Sequence, residues 1–196
     1  MPAAGKSTMA EAMSERLKLP VISKDAIKEL LFDSIGFQSR AEKVNLGIAS
    51  MKIMYYAAGQ LMNAGQPFIL ENNFESTEDG IKNLIEKYQY SALTITLTGD
   101  YKVIYRRFLE RESSPDRHRG YVVNDCYPEK KESDLKTPNA KTVSYENFAR
   151  GIEQRGFDVF CVDGRQIKVD TTDFSKVNME ALFSQIAAWK EEILHD

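Results

Sequence analysis

The run Gly5-Lys6-Ser7-Thr8 sets a flexible backbone, an ammonium and two hydroxyls side by side. It matches the last four residues of the phosphate-cradling pattern G-x-x-x-x-G-K-[ST]. In that pattern successive backbone N–H groups of a tight turn form a concave anion nest, and the helix that follows adds its N-terminal dipole. Ala3, Ala4 and Gly5 would supply the nest for ATP, Lys6 would reach the β- and γ-phosphates, Ser7 would place its hydroxyl on Mg²⁺, and Thr8 completes the nucleotide-binding set. A bare G-K-[ST] arises by chance in roughly one chain of this length in ten. Here it opens a helical pattern followed by alternating strands and helices, which is the context the motif requires. The pattern's first glycine would fall just ahead of Met1, and the strand that feeds such a loop is missing, so residues are expected to precede Met1 in the natural protein.

Asp25 is a candidate general base for a hydroxyl acceptor, with Lys28 three residues on and on the same helix face. Aspartate is also a favoured N-cap, so Asp25 could simply start the helix 26–32. Phosphoryl transfer to an alcohol needs a base or orienting group, which puts the catalytic role ahead. No run of four hydrophobics ending in aspartate exists. The nearest is Phe68-Ile69-Leu70-Glu71, where Glu71 would hold Mg²⁺ through water, fix Lys28 or the acceptor, or stand as a solvated strand-end carboxylate. Arg106, Arg107, Arg111, Arg117 and Arg119 fall close together around His118. Arg107 and Arg111 share a helix face, and guanidinium forks suit the charge spread over a transferring phosphoryl group. Glu110 and Glu112 leave open a plain solvated helix. His118 reads as structural or solvent-exposed. Asp170-Thr171-Thr172-Asp173 reads from its residues as a turn.

Short apolar runs at 20–22, 67–70, 92–97 and 167–169 read as strands, continuous enough to be covered on both faces. Helical patterns cover 6–17, 40–64, 77–88, 101–111 and 179–194. On 6–17, Met9, Met13 and Leu17 point inward, and on 40–64 Val44, Ile48, Met51, Tyr55 and Met62 form one stripe. That long helix is expected to wall an acceptor pocket, with Tyr55 and Tyr56 as contacts. Residues 113–141 are polar, carry Pro115, Pro128 and Pro138, and read as a long loop or lid. Asp163-Gly164 marks a hairpin or a loop into a strand. Alternating strands and helices imply a layered α/β domain with a mostly parallel sheet.

The chain has 196 residues, 42% hydrophobic and 28% charged, which suits one globular domain. A formal net charge of −3 argues against a strongly basic nucleic-acid binder. No apolar run is long enough to span a membrane, and no secretory signal precedes Lys6. Cys126 and Cys161 make neither a metal motif nor a disulfide framework, so a reducing cytoplasm is the expected location. Nothing in the sequence fixes the oligomeric state.

On four stretches the chain resembles the P-loop kinase-like ATP-binding family, which includes chloramphenicol phosphotransferase, polynucleotide 5′-kinase, gluconate kinase and the zeta toxins. These are 2–8, 22–28, Ile69-Leu70-Glu71-Asn72-Asn73-Phe74, and the arginine-rich span 105–120. The resemblance implies a three-layer P-loop fold with strand order 2-3-1-4-5, the first strand being absent from the chain. It implies a single domain over 1–196, with an arginine-rich lid and loop insertion over 105–141. Asp25 falls on the family's S-x-D-x-x-R/K aspartate, with Lys28 where arginine is frequent. Arg107, Arg111 and Arg119 fall on its lid, and Thr171 falls on a segment that in related kinases lies close to the adenine pocket, which implies a contact to the base. The implied activity is ATP- and Mg²⁺-dependent phosphoryl transfer to a hydroxyl of an unidentified small molecule. Two alternatives remain. A polynucleotide 5′-kinase would need a basic acceptor channel, for which Lys24, Lys28, Arg40 and Lys43 offer a thin one; the absent strand and glycine favour a nucleotide-binding module without turnover.

Overall fold

A computed structural model describes residues 1–76, 79–129 and 143–195. The expected start of a helix at Thr77, and Pro138 and Lys141 of the expected lid, lie outside the described residues. The elements are α1 (Lys6–Leu17), β1 (Val21–Ser23), α2 (Lys24–Ile35), α3 (Arg40–Asn63), β2 (Ile69–Glu71), α4 (Gly80–Tyr88), β3 (Thr94–Thr98), α5 (Tyr101–Ser113), α6 (Arg119–Val122), α7 (Tyr145–Arg155), β4 (Gln166–Asp170), a 3₁₀ turn (Phe174–Lys176) and α8 (Met179–His195). The architecture is mixed α/β with short parallel sheets. The chain divides into two compact units, one comprising Met1–Lys6, Asn73–Tyr105 and Tyr145–Asp196, the other Ser7–Asn72 and Arg106–Ser144.

In the unit built on Ser7–Asn72, β1 and β2 pair in parallel with Val21 opposite Ile69 and Ser23 opposite Glu71. α2 packs along α3, and both helices start on a serine. Ser23 accepts the Ala26 N–H, and Ser39 accepts the Glu42 N–H at 3.2 Å while Glu42 accepts the Gln38 N–H at 2.6 Å. Ser23, not Asp25, therefore caps α2, and Asp25 lies in its first turn. Phe32 is fully buried, with Phe37 and Tyr121 ring centroids 5.4 Å and 5.5 Å away. Gly120 of α6 sits so close to the Phe32 ring that a Cβ there would collide with it.

Of the apolar stripe on α3, Met62 is buried, whereas Val44 and Ile48 are about half exposed. The other buried residues are Lys43, Ser50, Met54, Ala58 and Gly59. The small residues Ser50, Ala58 and Gly59 on that side are not reported by the periodicity of large apolar residues.

In the other unit β3 and β4 pair in parallel from Thr94 opposite Gln166 to Thr98 opposite Asp170. Asp163-Gly164 is accordingly a loop into β4, not a hairpin, and Asp163 there accepts the Ala92 N–H. The strands are only partly covered and Lys168 is exposed, against the expectation of strands buried on both faces. Among the described residues each sheet has two strands. α7, absent from the sequence reading, buries Phe148 and Ile152 one turn apart. Among the described residues no helix is long and apolar enough to cross a membrane.

Candidate functional site

The phosphate-motif segment is a tight compound turn. Ala3 and Gly5 both take left-handed backbone (φ 57 and 85), Ala4 is fully buried, and α1 begins at Lys6. Gly5 is required twice over. Its φ disfavours a side chain, and a Cβ there would come within 2.7 Å of the Phe174 ring. The Lys6 ammonium folds back to the Met1 carbonyl at 3.1 Å. A left-handed glycine ahead of a helix, with a lysine able to reach across the turn, fits a polyphosphate. Ser7 and Thr8 are exposed at the start of α1.

Ser23 and Glu71 face each other at the C-terminal ends of the parallel pair β1–β2, the end at which open α/β sheets take ligands. The Ser23 hydroxyl donates to the Glu71 carboxylate, which is 7% exposed. The same hydroxyl caps α2, so one side chain ties the strand ends to the turn that carries Asp25. The Asp25 carboxylate lies 3.3 Å from the Lys24 ammonium and is nearly half exposed, and its backbone carbonyl accepts the Tyr121 hydroxyl at 3.2 Å. Burial, with Asp25 and Glu29 nearby, pushes the Tyr121 phenol well above its usual range, so it stays protonated and a donor. Among the described residues no group of three His, Cys, Asp or Glu side chains is placed to hold a metal ion. The Ser7 hydroxyl and the Glu71 carboxylate are oxygen donors of the kind that suit Mg²⁺.

An open groove of about 500 Å³ runs along α2 and α3. Among the described residues its cations are Lys24, Lys28, Arg40, Lys43 and Lys52, its other walls are Val44, Gly47, Ile48, Met51 and Tyr55, and no carboxylate lines it. The four cations named for a basic channel thus line one groove, with the apolar stripe of α3 as its wall. Tyr55 lines it, while Tyr56 is 70% exposed and is not among its walls. Lys52 was not anticipated, although Arg40, Val44, Ile48 and Lys52 follow one another at four-residue steps.

Each cation is held differently. Lys43 spends its ammonium on the Tyr121 and Val123 carbonyls at 2.8 and 2.5 Å and on the Asn124 side chain at 3.2 Å. Arg40 donates to the same Asn124 oxygen at 3.2 Å. Lys28 lies 5.3 Å from the Phe32 and Tyr121 ring centroids, and among the described residues its ammonium has no hydrogen bond or ion pair. Gly47 makes room for it, since a Cβ there would already touch the ammonium at 3.5 Å. Burial first, and then neighbouring cations, lower the pKa of both Lys28 and Lys43 to about 8.

The arginines divide. Arg117 lies 3.9 Å over the Tyr121 ring with Nε 3.1 Å from Glu112, and Arg111 reaches the same carboxylate at 3.4 Å. Burial and Arg117 lower the pKa of Arg111, whose Nε is buried without a hydrogen-bond partner. Arg107 is half-buried on the same helix, and Arg106 reaches toward Glu110 at 3.9 Å. Arg119 is forked onto Glu129, Nε to Oε2 being 2.9 Å. His118 caps α6 through Nδ1, and its Nε2 meets Asp33 at 3.0 Å. In the other unit Thr171 is fully buried and donates to the Thr98 carbonyl at 2.8 Å, while Asp170 accepts the Thr172 N–H at 2.7 Å. That segment is a turn held by its own side chains. Tyr121 had no signal in the sequence; its role follows from contacts more than ninety residues away along the chain.

No family model and no curated protein matches the chain. Among solved structures it is similar to one described as "a putative kinase from Chloroflexus aurantiacus J-10-fl", with 25% identity and a TM-score of 0.75 over 95% of this chain and 92% of that one. The chain accordingly has a kinase-like fold.

Proposed function

We propose that the chain is an ATP- and Mg²⁺-dependent kinase of the P-loop kinase-like type, transferring the γ-phosphoryl group to a hydroxyl of a small molecule. The observation that carries this reading is the Met1–Lys6 turn, with left-handed Ala3 and Gly5 and with Lys6 folded across it at the start of α1. The likeness to the Chloroflexus structure supports it. On this reading β1, β2, β3 and β4 are strands two to five of the order 2-3-1-4-5. The two parallel pairs β1–β2 and β3–β4 fit that order, in which strands two and three are neighbours and so are strands four and five. Residues 1–196 form one domain, and 105–141 its lid insertion.

When bound, ATP supplies the phosphoryl group, and the acceptor oxygen displaces ADP. Ala3, Ala4 and Gly5 offer backbone N–H groups to the phosphates, Lys6 neutralises them, and Ser7, Thr8 and Glu71 serve the nucleotide and its Mg²⁺. Asp25 takes the proton leaving the acceptor hydroxyl, while Arg107 and Arg111 balance the charge on the transferred group. Arg119 would have to leave Glu129, and the Thr171 segment would offer the base its backbone rather than the hydroxyl.

Calorimetric titration with Mg²⁺-ATP tests the turn. Lys6→Ala should weaken binding at least about tenfold, since a charge-assisted hydrogen bond contributes roughly 1.5–3 kcal/mol. Asp25→Asn should keep nucleotide affinity and abolish acceptor-dependent ADP release. Equal affinity in wild type and Lys6→Ala would end the P-loop assignment.

A further inference from the structure

We propose that the α2–α3 groove is the acceptor site and that its substrate is a small amphipathic anion, a hydroxyl compound with a carboxylate or phosphate at one end and an apolar body. This rests on the kinase reading above and names the class of acceptor.

The groove joins two chemistries that a solvated helix face would not. Among the described residues five cations line it and no carboxylate does, and of the five only Lys24 is within ion-pair reach of one. Lys28 and the exposed Lys52 are left to receive an anion, and of the two Lys28 is the one held in place by its surroundings. Its ammonium is half-buried, aromatic on one side, and without hydrogen bond or ion pair among the described residues. Lys43 already has its donors occupied by carbonyl and amide oxygens, so it holds charge in place rather than binding. Lys24 shares its charge with Asp25, which puts the candidate base beside the anion-binding end. Val44, Ile48 and Met51 then give an apolar strip along one face of α3. A volume of about 500 Å³ accommodates a small molecule and not a folded partner.

The test uses three aryl alcohols that differ only at the anionic end: 4-(hydroxymethyl)benzoate, the corresponding phenylphosphonate, and the neutral benzamide. Each is titrated calorimetrically at pH 7 into the wild-type chain, Lys28→Gln and Lys28→Arg, with melting temperature as the check on folding. The expected result is that one of the two anions binds at least tenfold more tightly than the amide, which also tells carboxylate from phosphate recognition. Lys28→Gln should bring anion and amide within twofold of each other, and Lys28→Arg should keep most of the preference. Equal binding of anion and amide, no binding of any probe, or a preference that survives in a folded Lys28→Gln overturns the proposal. So does displacement of the bound anion by Mg²⁺-ATP, which would make the groove a nucleotide site. Tighter binding of a 5′-hydroxyl oligonucleotide than of either anion overturns it in favour of a polynucleotide acceptor. The Mg²⁺-ATP titration of wild type and Lys6→Ala is read separately. A chain that prefers the anion but binds no nucleotide loses the kinase reading and keeps an anion-binding groove.

Discussion

Lys28 keeps its proton against burial, the main cause of its pKa falling to about 8, with Lys24, Arg40 and Arg117 pushing the same way and Asp25 opposing. The unfolded chain holds that proton to about 10.4. Between these values the unfolded state binds more protons than the folded one, so this group adds stability as pH rises from about 8 to about 10 and opposes folding below that window. Lys28→Met should therefore stabilise the protein at pH 7, by about 1–2 kcal/mol once solvent screening is allowed for, with the advantage fading by pH 10. Urea melts of both chains at the two pH values measure this. A Lys28→Met chain less stable at pH 7 would mean that the Phe32 and Tyr121 rings outweigh the desolvation. A lysine that opposes folding at neutral pH is most simply kept for what it binds. The sequence showed Lys28, its spacing to Asp25 and Phe32 one turn further on, but not Tyr121, which joins them only when residues far apart along the chain are brought together.

At the scale of elements, the parts that sequence exposes are those specified locally. The start of α3 is visible in Ser39-x-x-Glu42, and the start of α1 in the glycine and lysine of its phosphate motif. The apolar stripe of α3 was equally visible, yet its meaning was not. Periodicity shows that Val44, Ile48, Met51 and Tyr55 share a face, and only the fold shows that this face walls a groove while Ser50, Met54 and Ala58 meet the core. α7 was missed although Phe148 and Ile152 stand at helical spacing, because Gly151 and charged neighbours dilute the pattern. Two substitutions weigh local against tertiary control. Ser39→Ala removes a cap and should cost about 1 kcal/mol. Gly120→Ala sets a Cβ against the fully buried Phe32 ring, which can move only by repacking Phe37 and Tyr121, and should cost about 1–3 kcal/mol. Thermal melts should rank Gly120→Ala as the more damaging, and the reverse order would show that α6 yields readily.

For the whole molecule, the balance of charge decides between small and polymeric acceptors. The chain carries a net charge of −3, while among the described residues the charged groups lining its groove are all cations. Long-range steering therefore does not favour a polyanion, and attraction acts only inside the groove, where screening is weak. A single strand that neutralised four of the groove cations would release about three counterions, and its affinity would fall about 50-fold between 50 and 200 mM salt. A small monoanion meeting Lys28 would lose about threefold over the same range, from the same relation with one charge. Titrating 4-(hydroxymethyl)benzoate and a 5′-hydroxyl oligonucleotide at both salt concentrations gives the two slopes directly. The expected outcome is a shallow slope for the benzoate and oligonucleotide binding that is weak at 50 mM and lost at 200 mM. A tight oligonucleotide complex with the steep slope would mean that the cations of α2 and α3 track a phosphate backbone, and that the apolar strip beside them stacks against a base.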